Sequence, residues 1–269
     1  MKILKIVFAL VVCLYIAILV IAFLFQDKLV FFPQPLARDY RYNLSDSDKE
    51  VFIPTADGKL VNGILFHRAG NQNVVLYFHG NGGSLDSWQQ TSEDILPLSC
   101  DLLIIDYRGY GKSTGAFSEK GFYEDAHAAY KFLIQTGYKP DQIIAYGRSL
   151  GTGVAMQLAI AEKVKALILE SPYTNLPGLA AESMPYLLPQ LLLRYKLNTL
   201  KRANKLQVPA LIIHGTSDEL IPVAQGQKVY NAISSPKKLL LINGGGHNNL
   251  SQFPEHFKGI KDFINTLPE

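Results

Sequence analysis

The sequence predicts an α/β fold: a mostly parallel central sheet with helices on both faces, a small helical lid and an N-terminal transmembrane helix. Three observations carry the prediction. Short apolar runs recur at strand length, with helix-length pieces between them. A Gly-x-Ser-x-Gly stretch, Gly147-Arg148-Ser149-Leu150-Gly151, stands where a strand pattern gives way to a helical one. An uncharged apolar run fills most of the first 25 residues.

That run covers residues 6–25, 20 positions. At about 1.5 Å per helical residue it reaches about 30 Å, the thickness of a bilayer core. A cleaved signal peptide has a shorter apolar region and ends in small residues. Here the exit reads Ile21-Ala22-Phe23-Leu24-Phe25, and Val12 before Cys13 is too large for lipoprotein cleavage. An uncleaved signal-anchor over residues 1–28 is expected. Lys2 and Lys5 favour a cytoplasmic N-terminus, with the rest of the chain across the membrane.

Residues 29–50 read as a connecting segment, with Phe31-Phe32-Pro33-Gln34-Pro35 against the membrane surface or the domain wall. The main domain is expected over residues 51–269. It opens with a hairpin, because two apolar stretches flank Ala56-Asp57-Gly58. Strands are then expected at 74–78, 102–105, 143–146, 166–169, 210–213 and 239–242. Uninterrupted apolar runs suit strands covered on both faces. Residues 173–206 exceed what one crossover needs. Pro177, Pro185 and Pro189 forbid one long helix there, so short helices forming a lid are expected. Arg194, Lys196, Lys201, Arg202 and Lys205 follow without an acidic neighbour. A solvated basic face is the preferred reading, and contact with anionic lipid or an acidic substrate is the other.

With 269 residues and 48% hydrophobic content, the chain can bury one large core. A net charge of +3 gives no case for a nucleic-acid partner. Cys13 lies in the apolar run and Cys100 beside a strand, so no disulfide joins them, and no Cys/His spacing suggests a metal site. Gly109-Tyr110-Gly111-Lys112-Ser113 ends like a phosphate loop, but Asp106 occupies the position of its first glycine. Gly151-Thr152-Gly153 lacks the third glycine of a dinucleotide fingerprint, because Met156 stands there. No cofactor is expected.

Ser149 is the candidate nucleophile. A serine hydroxyl needs a base within hydrogen-bond reach, and the base needs a carboxylate to hold its tautomer. Both are sought after later strands. Asp218 follows the run 210–213, and His247 follows Asn243-Gly244-Gly245-Gly246, read as a flexible approach. The order Ser149, Asp218, His247 matches the chain order of α/β-hydrolase triads. Glu170 and Glu219 are alternative acids. His67 and His256 fit surface positions, His127 a helix, His214 a strand end and His79 a structural role. Oxyanion donors are expected from the backbone amides of Asn81, in the loop His79-Gly80-Asn81-Gly82-Gly83, and Leu150.

Together, His79-Gly80-Asn81-Gly82-Gly83, Asp106-Tyr107-Arg108-Gly109-Tyr110-Gly111-Lys112-Ser113, Gly147-Arg148-Ser149-Leu150-Gly151 and Gly246-His247-Asn248 resemble the Bem46-like branch of the α/β-hydrolase superfamily. The resemblance spans roughly residues 50–265. It implies an α/β-hydrolase fold and membrane-anchored serine hydrolases, with Ser149, Asp218 and His247 in the triad roles. Gly82-Gly83 departs from the pattern, where an alanine is expected in many relatives. The expected activity is hydrolysis of an ester or thioester with a small-molecule or lipid-like acyl group. Amide hydrolysis, acyl transfer and a catalytically silent, membrane-tethered binding module are the alternatives.

Overall fold

The computed structural model describes residues 1–268. Eight strands form the central sheet: β1 Asp48–Pro54, β2 Leu60–Phe66, β3 Asn73–Phe78, β4 Cys100–Ile105, β5 Ile143–Arg148, β6 Ala166–Glu170, β7 Ala210–Gly215 and β8 Lys237–Ile242. Their spatial order is β8-β7-β6-β5-β3-β4-β2-β1. Pairing is antiparallel between β1 and β2 and between β2 and β4, and parallel from β4 through β8. All six expected runs lie inside strands, and the expected hairpin opens the sheet.

The burial pattern explains why these runs are continuously apolar. Along β3, Val74, Leu76 and Phe78 enter one core, and Val75 and Tyr77 enter the other. Helices Glu119–Gln135 and Gly151–Ala161 pack on the first face, and Pro254–Asn265 packs on the second. A strand sandwiched in this way has no wet side and so no alternation. The edge strand β8 is only partly buried.

Helix α1, Lys2–Leu24, has no buried residue and a mean hydropathy of 3.2 over its apolar window. It is long and apolar enough to cross a membrane. A short helix α2, Gln26–Val30, continues from it.

Two parts differ from expectation. Residues 29–50 are built into the domain and do not merely connect. Phe31 is 2% exposed and stacks on Phe117 at 4.7 Å, with Phe122 and Tyr195 packed edge-on around it. Phe32–Pro33 pairs in parallel with Gly82–Gly83. Three ring partners within packing distance decide for the wall at Phe31, whereas Phe32 beside it stays exposed. The second difference lies within residues 173–206. Its first part is a cover of short helices, Leu176–Ser183 and Pro189–Leu192, with prolines in their first turns. Its second part is wall, because Leu193, Tyr195, Leu197, Ala203 and Leu206 are core residues. The basic run there is partly neutralised: Arg194 pairs with Asp27 at 3.0 Å and Arg202 with Glu119 at 3.4 Å.

Candidate active site

The site begins with a sharp turn. Strand β5 ends at Arg148 and the next helix starts at Gly151, which leaves two residues to reverse direction. Ser149 absorbs the turn in the left-handed region, at φ 51°. A non-glycine residue adopts that conformation at an energetic cost and only where its surroundings enforce it. Here its N–H donates to the Glu170 carbonyl at 2.9 Å, and its carbonyl accepts from the Thr152 amide at 2.9 Å and the Thr152 hydroxyl at 2.7 Å. The flanking glycines are required by space. A Cβ on Gly147 would stand 2.4 Å from the Gly151 oxygen, and one on Gly151 only 2.0 Å from the Phe78 oxygen.

The loops after β7 and β8 bring two further side chains to this turn. His247 Nε2 lies 3.1 Å from Ser149 Oγ, and His247 Nδ1 lies 2.8 Å from Asp218 Oδ2. The other oxygen of Asp218 accepts the amides of Leu220 at 3.0 Å and Ile221 at 2.7 Å. Burial would raise the Asp218 carboxyl, but the bonds from His247 and the Ile221 amide outweigh it and hold the group below its ordinary range. The structure thus brings Ser149, Asp218 and His247 together. Glu219 is exposed.

The glycines before His247 are not a flexible approach. The Ser217 amide donates to the Gly245 carbonyl at 2.9 Å, and Gly215 packs so closely on Gly245 that a Cβ would sit 2.2 Å from its oxygen. Close backbone packing fixes one loop on the other. His214 lies fully buried at the end of β7, with Nε2 2.8 Å from the Ile221 carbonyl, which braces the Asp218 loop. Burial depresses its proton affinity, so it donates as a neutral ring.

The glycine loop lies beside the turn: a Cβ on Gly80 would be 3.6 Å from the Ser149 Cβ. The amides of Asn81 and Leu150 donate to no other group among the described residues. The loop is held from below. Tyr107 donates to the His79 carbonyl at 2.8 Å, and Tyr110 to the Asn81 carbonyl at 2.9 Å. His79 is buried, with Nδ1 2.7 Å from the Gly80 carbonyl.

Glu170 takes no part as an acid for His247. It is buried beneath the turn, with Oε1 3.1 Å from Arg148 Nε and Oε2 3.1 Å from His256 Nε2. His256 is therefore a core residue, 5% exposed, and not a surface one. The buried carboxylate needs partners on both oxygens and recruits the ring from the last helix. Burial works against its ionisation, but His256, Arg148 and Tyr146 overcome that and bring its pKa down to about 2.

Arg148 is the residue that sequence reasoning passed over. Its guanidinium donates to the His247 carbonyl and to Asn248 Oδ1, both at 3.1 Å, and lies 5.0 Å from the Trp88 ring centre. The available signal was register, because Arg148 and Glu170 are cross-strand partners on β5 and β6.

Comparison with known proteins agrees with this architecture. The family model described as α/β hydrolase fold matches residues 73–199, and the one described as serine aminopeptidase, S33, matches residues 190–252. The chain is 32% identical to an uncharacterized protein of Mycobacterium tuberculosis over 227 residues, 83% of this chain and 81% of that one. It is 30% identical to the alpha/beta hydrolase domain-containing protein 17B of Xenopus tropicalis, over 84% of this chain and 79% of the other. Among solved structures, an esterase of Pyrococcus furiosus superposes with a TM-score of 0.73 at 22% identity, covering 88% of this chain and 97% of that one.

Proposed function

From the chain's membership of the α/β-hydrolase family, we propose that it is a serine hydrolase of the Bem46-like branch, held in a membrane by α1 and cleaving an ester or thioester. The observation that carries the reading is the continuous Ser149–His247–Asp218 contact, 3.1 Å and then 2.8 Å. Ser149 Oγ gives its proton to His247 Nε2 and bonds to the acyl carbon. Asp218 keeps the Nδ1 proton in place and stabilises the imidazolium. The amides of Asn81 and Leu150 receive the oxyanion, a contribution of about 3 kcal/mol for each well-placed donor. His247 then protonates the departing alcohol or thiol, and the acyl group remains on Ser149. A water, deprotonated by His247, attacks the acyl carbon; the bond to Ser149 Oγ breaks, His247 returns the proton to Oγ, and the carboxylic acid leaves and ionises in water.

No metal or cofactor is needed for this sequence of steps. The hydrolase domain lies across the membrane from a cytoplasmic N-terminus, a reading that rests on Lys2 and Lys5. The test uses the full chain in nanodiscs with p-nitrophenyl butyrate and a fluorophosphonate probe. Hydrolysis and labelling are expected in the parent and lost in Ser149→Ala. Unchanged hydrolysis in that variant would overturn the proposal. Folded parent protein that never takes the probe would point instead to a binding module.

A further inference from the structure

A cavity of about 220 Å³ lies between the membrane exit of the chain and the cover helices. Phe23 and Leu29 line it together with Leu179, Met184 and Leu192 of the cover, and Asn81 belongs to the same lining. Asn81 follows Gly80, whose Cβ position lies 3.6 Å from the Ser149 Cβ. The lining therefore includes both Asn81, from the loop beside Ser149, and Ala22 and Phe23, from the end of the helix long enough to cross a membrane.

The cover reaches beside that helix. Tyr15 donates its hydroxyl to the Tyr186 carbonyl at 2.8 Å. Tyr15 lies nine residues before Leu24, the end of α1, which is about 14 Å along the axis. With α1 across a bilayer whose core is about 30 Å thick, the corner around Tyr186 sits almost halfway into it.

The corner has the composition for that place. Residues 183–193 carry no charge, and Glu182 and Arg194 bracket them. Tyr186 is 61% exposed, Leu188 41% and Leu191 76%. In lipid, backbone polar groups must find internal partners. The amides of Leu187 and Leu188 bond to the Met184 and Pro185 carbonyls at 3.1 Å, and those of Leu191 and Leu192 to Leu188 at 3.0 Å. Pro185 and Pro189 have no N–H to satisfy.

We infer that the corner at residues 185–192 is inserted in the leaflet beside α1, and that the cavity between them receives a long acyl chain directly from the bilayer. The substrate class is a membrane-resident long-chain acyl ester or thioester. This deepens the hydrolase reading and rests on it for the chemistry, but the insertion and the binding do not depend on turnover.

The experiment uses the full chain in nanodiscs and has three arms. In the first, Leu188→Cys in a Cys13→Ser background carries an environment-sensitive fluorophore. Quenching by doxyl-labelled lipid and not by aqueous iodide is expected, and the reverse overturns the insertion. In the second, a diazirine-bearing palmitic acid is photolysed with Ser149→Ala. Crosslinks within residues 176–193 are expected, and they should fall at least fivefold with Ala180→Trp. Crosslinks confined to α1 overturn the acyl site. In the third, the kcat/KM ratio of p-nitrophenyl palmitate to butyrate should fall at least tenfold in Ala180→Trp. An unmoved ratio overturns the acyl site while the hydrolase reading stands. Absence of all turnover with both lipid arms positive sinks the hydrolase reading alone.

Discussion

The guanidinium of Arg148 holds the carbonyl of His247 at 3.1 Å. The same side chain is anchored on buried Glu170, so the position of His247 is set from the strand that leads into Ser149. Hydrogen bonds to a charged group contribute about 1.5–3 kcal/mol. Arg148→Ala should therefore lower kcat roughly 10- to 100-fold with little change in KM, and Arg148→Lys should restore part of the loss. Steady-state kinetics on a short-chain ester, beside a cooperative melt for each variant, check this. No loss in either variant would mean that the contact with the His247 carbonyl does not position that ring.

Asp218→Asn keeps the shape of the site and removes the charge that faces the Nδ1 proton. The expected result is a fall in kcat of roughly 10⁴-fold with substrate affinity retained. Pre-steady-state burst measurements should show that acylation slows. A fall of less than tenfold would mean that another carboxylate serves His247.

Gly151→Ala places a methyl 2.0 Å from the Phe78 carbonyl oxygen, and backbone on both sides prevents relief. A loss of about 3 kcal/mol is expected, at the upper end for overpacking. Gly82→Ala meets no atom within 4 Å and should stay within about 0.5 kcal/mol of the parent. Urea unfolding of the detergent-solubilised chain measures both.

Glu170 has a folded pKa of about 2 against an ordinary value of 4.5. A lowered carboxyl adds stability above its unfolded pKa and loses it as pH falls through the folded one. The difference corresponds to about 3 kcal/mol. Glu170→Gln should therefore be less stable than the parent by about that amount at neutral pH. The gap should close as pH falls from 4.5 to about 2. Melting temperatures across that range test it, and a gap constant with pH would contradict it.

Which features could be read from the chain follows from what each depends on. Strands such as β3 and β5 were legible because burial on both faces leaves an unbroken apolar run. Ser149, Asp218 and His247 were legible because each follows a strand in a fixed order. For Phe31 the chain left two places open, membrane surface or domain wall, since its partners Phe117, Phe122 and Tyr195 are remote in sequence and converge only in the folded wall. His256 looked like a surface residue because its reason for burial, the carboxylate of Glu170, lies 86 residues away. The glycines before His247 suggested freedom, whereas the fold uses them for close contact with Gly215. Local pattern reveals which face is buried; it does not reveal which distant polar group needs a partner.

The side-chain amide of Asn81 donates to the carbonyl of Val30, and Phe32–Pro33 is laddered to Gly82–Gly83. The loop beside Ser149 is therefore stitched to the residues that follow α1. With α1 in a membrane as proposed, that stitching would hold Ser149 at one fixed height relative to the lipid plane, set by the length of the chain between them.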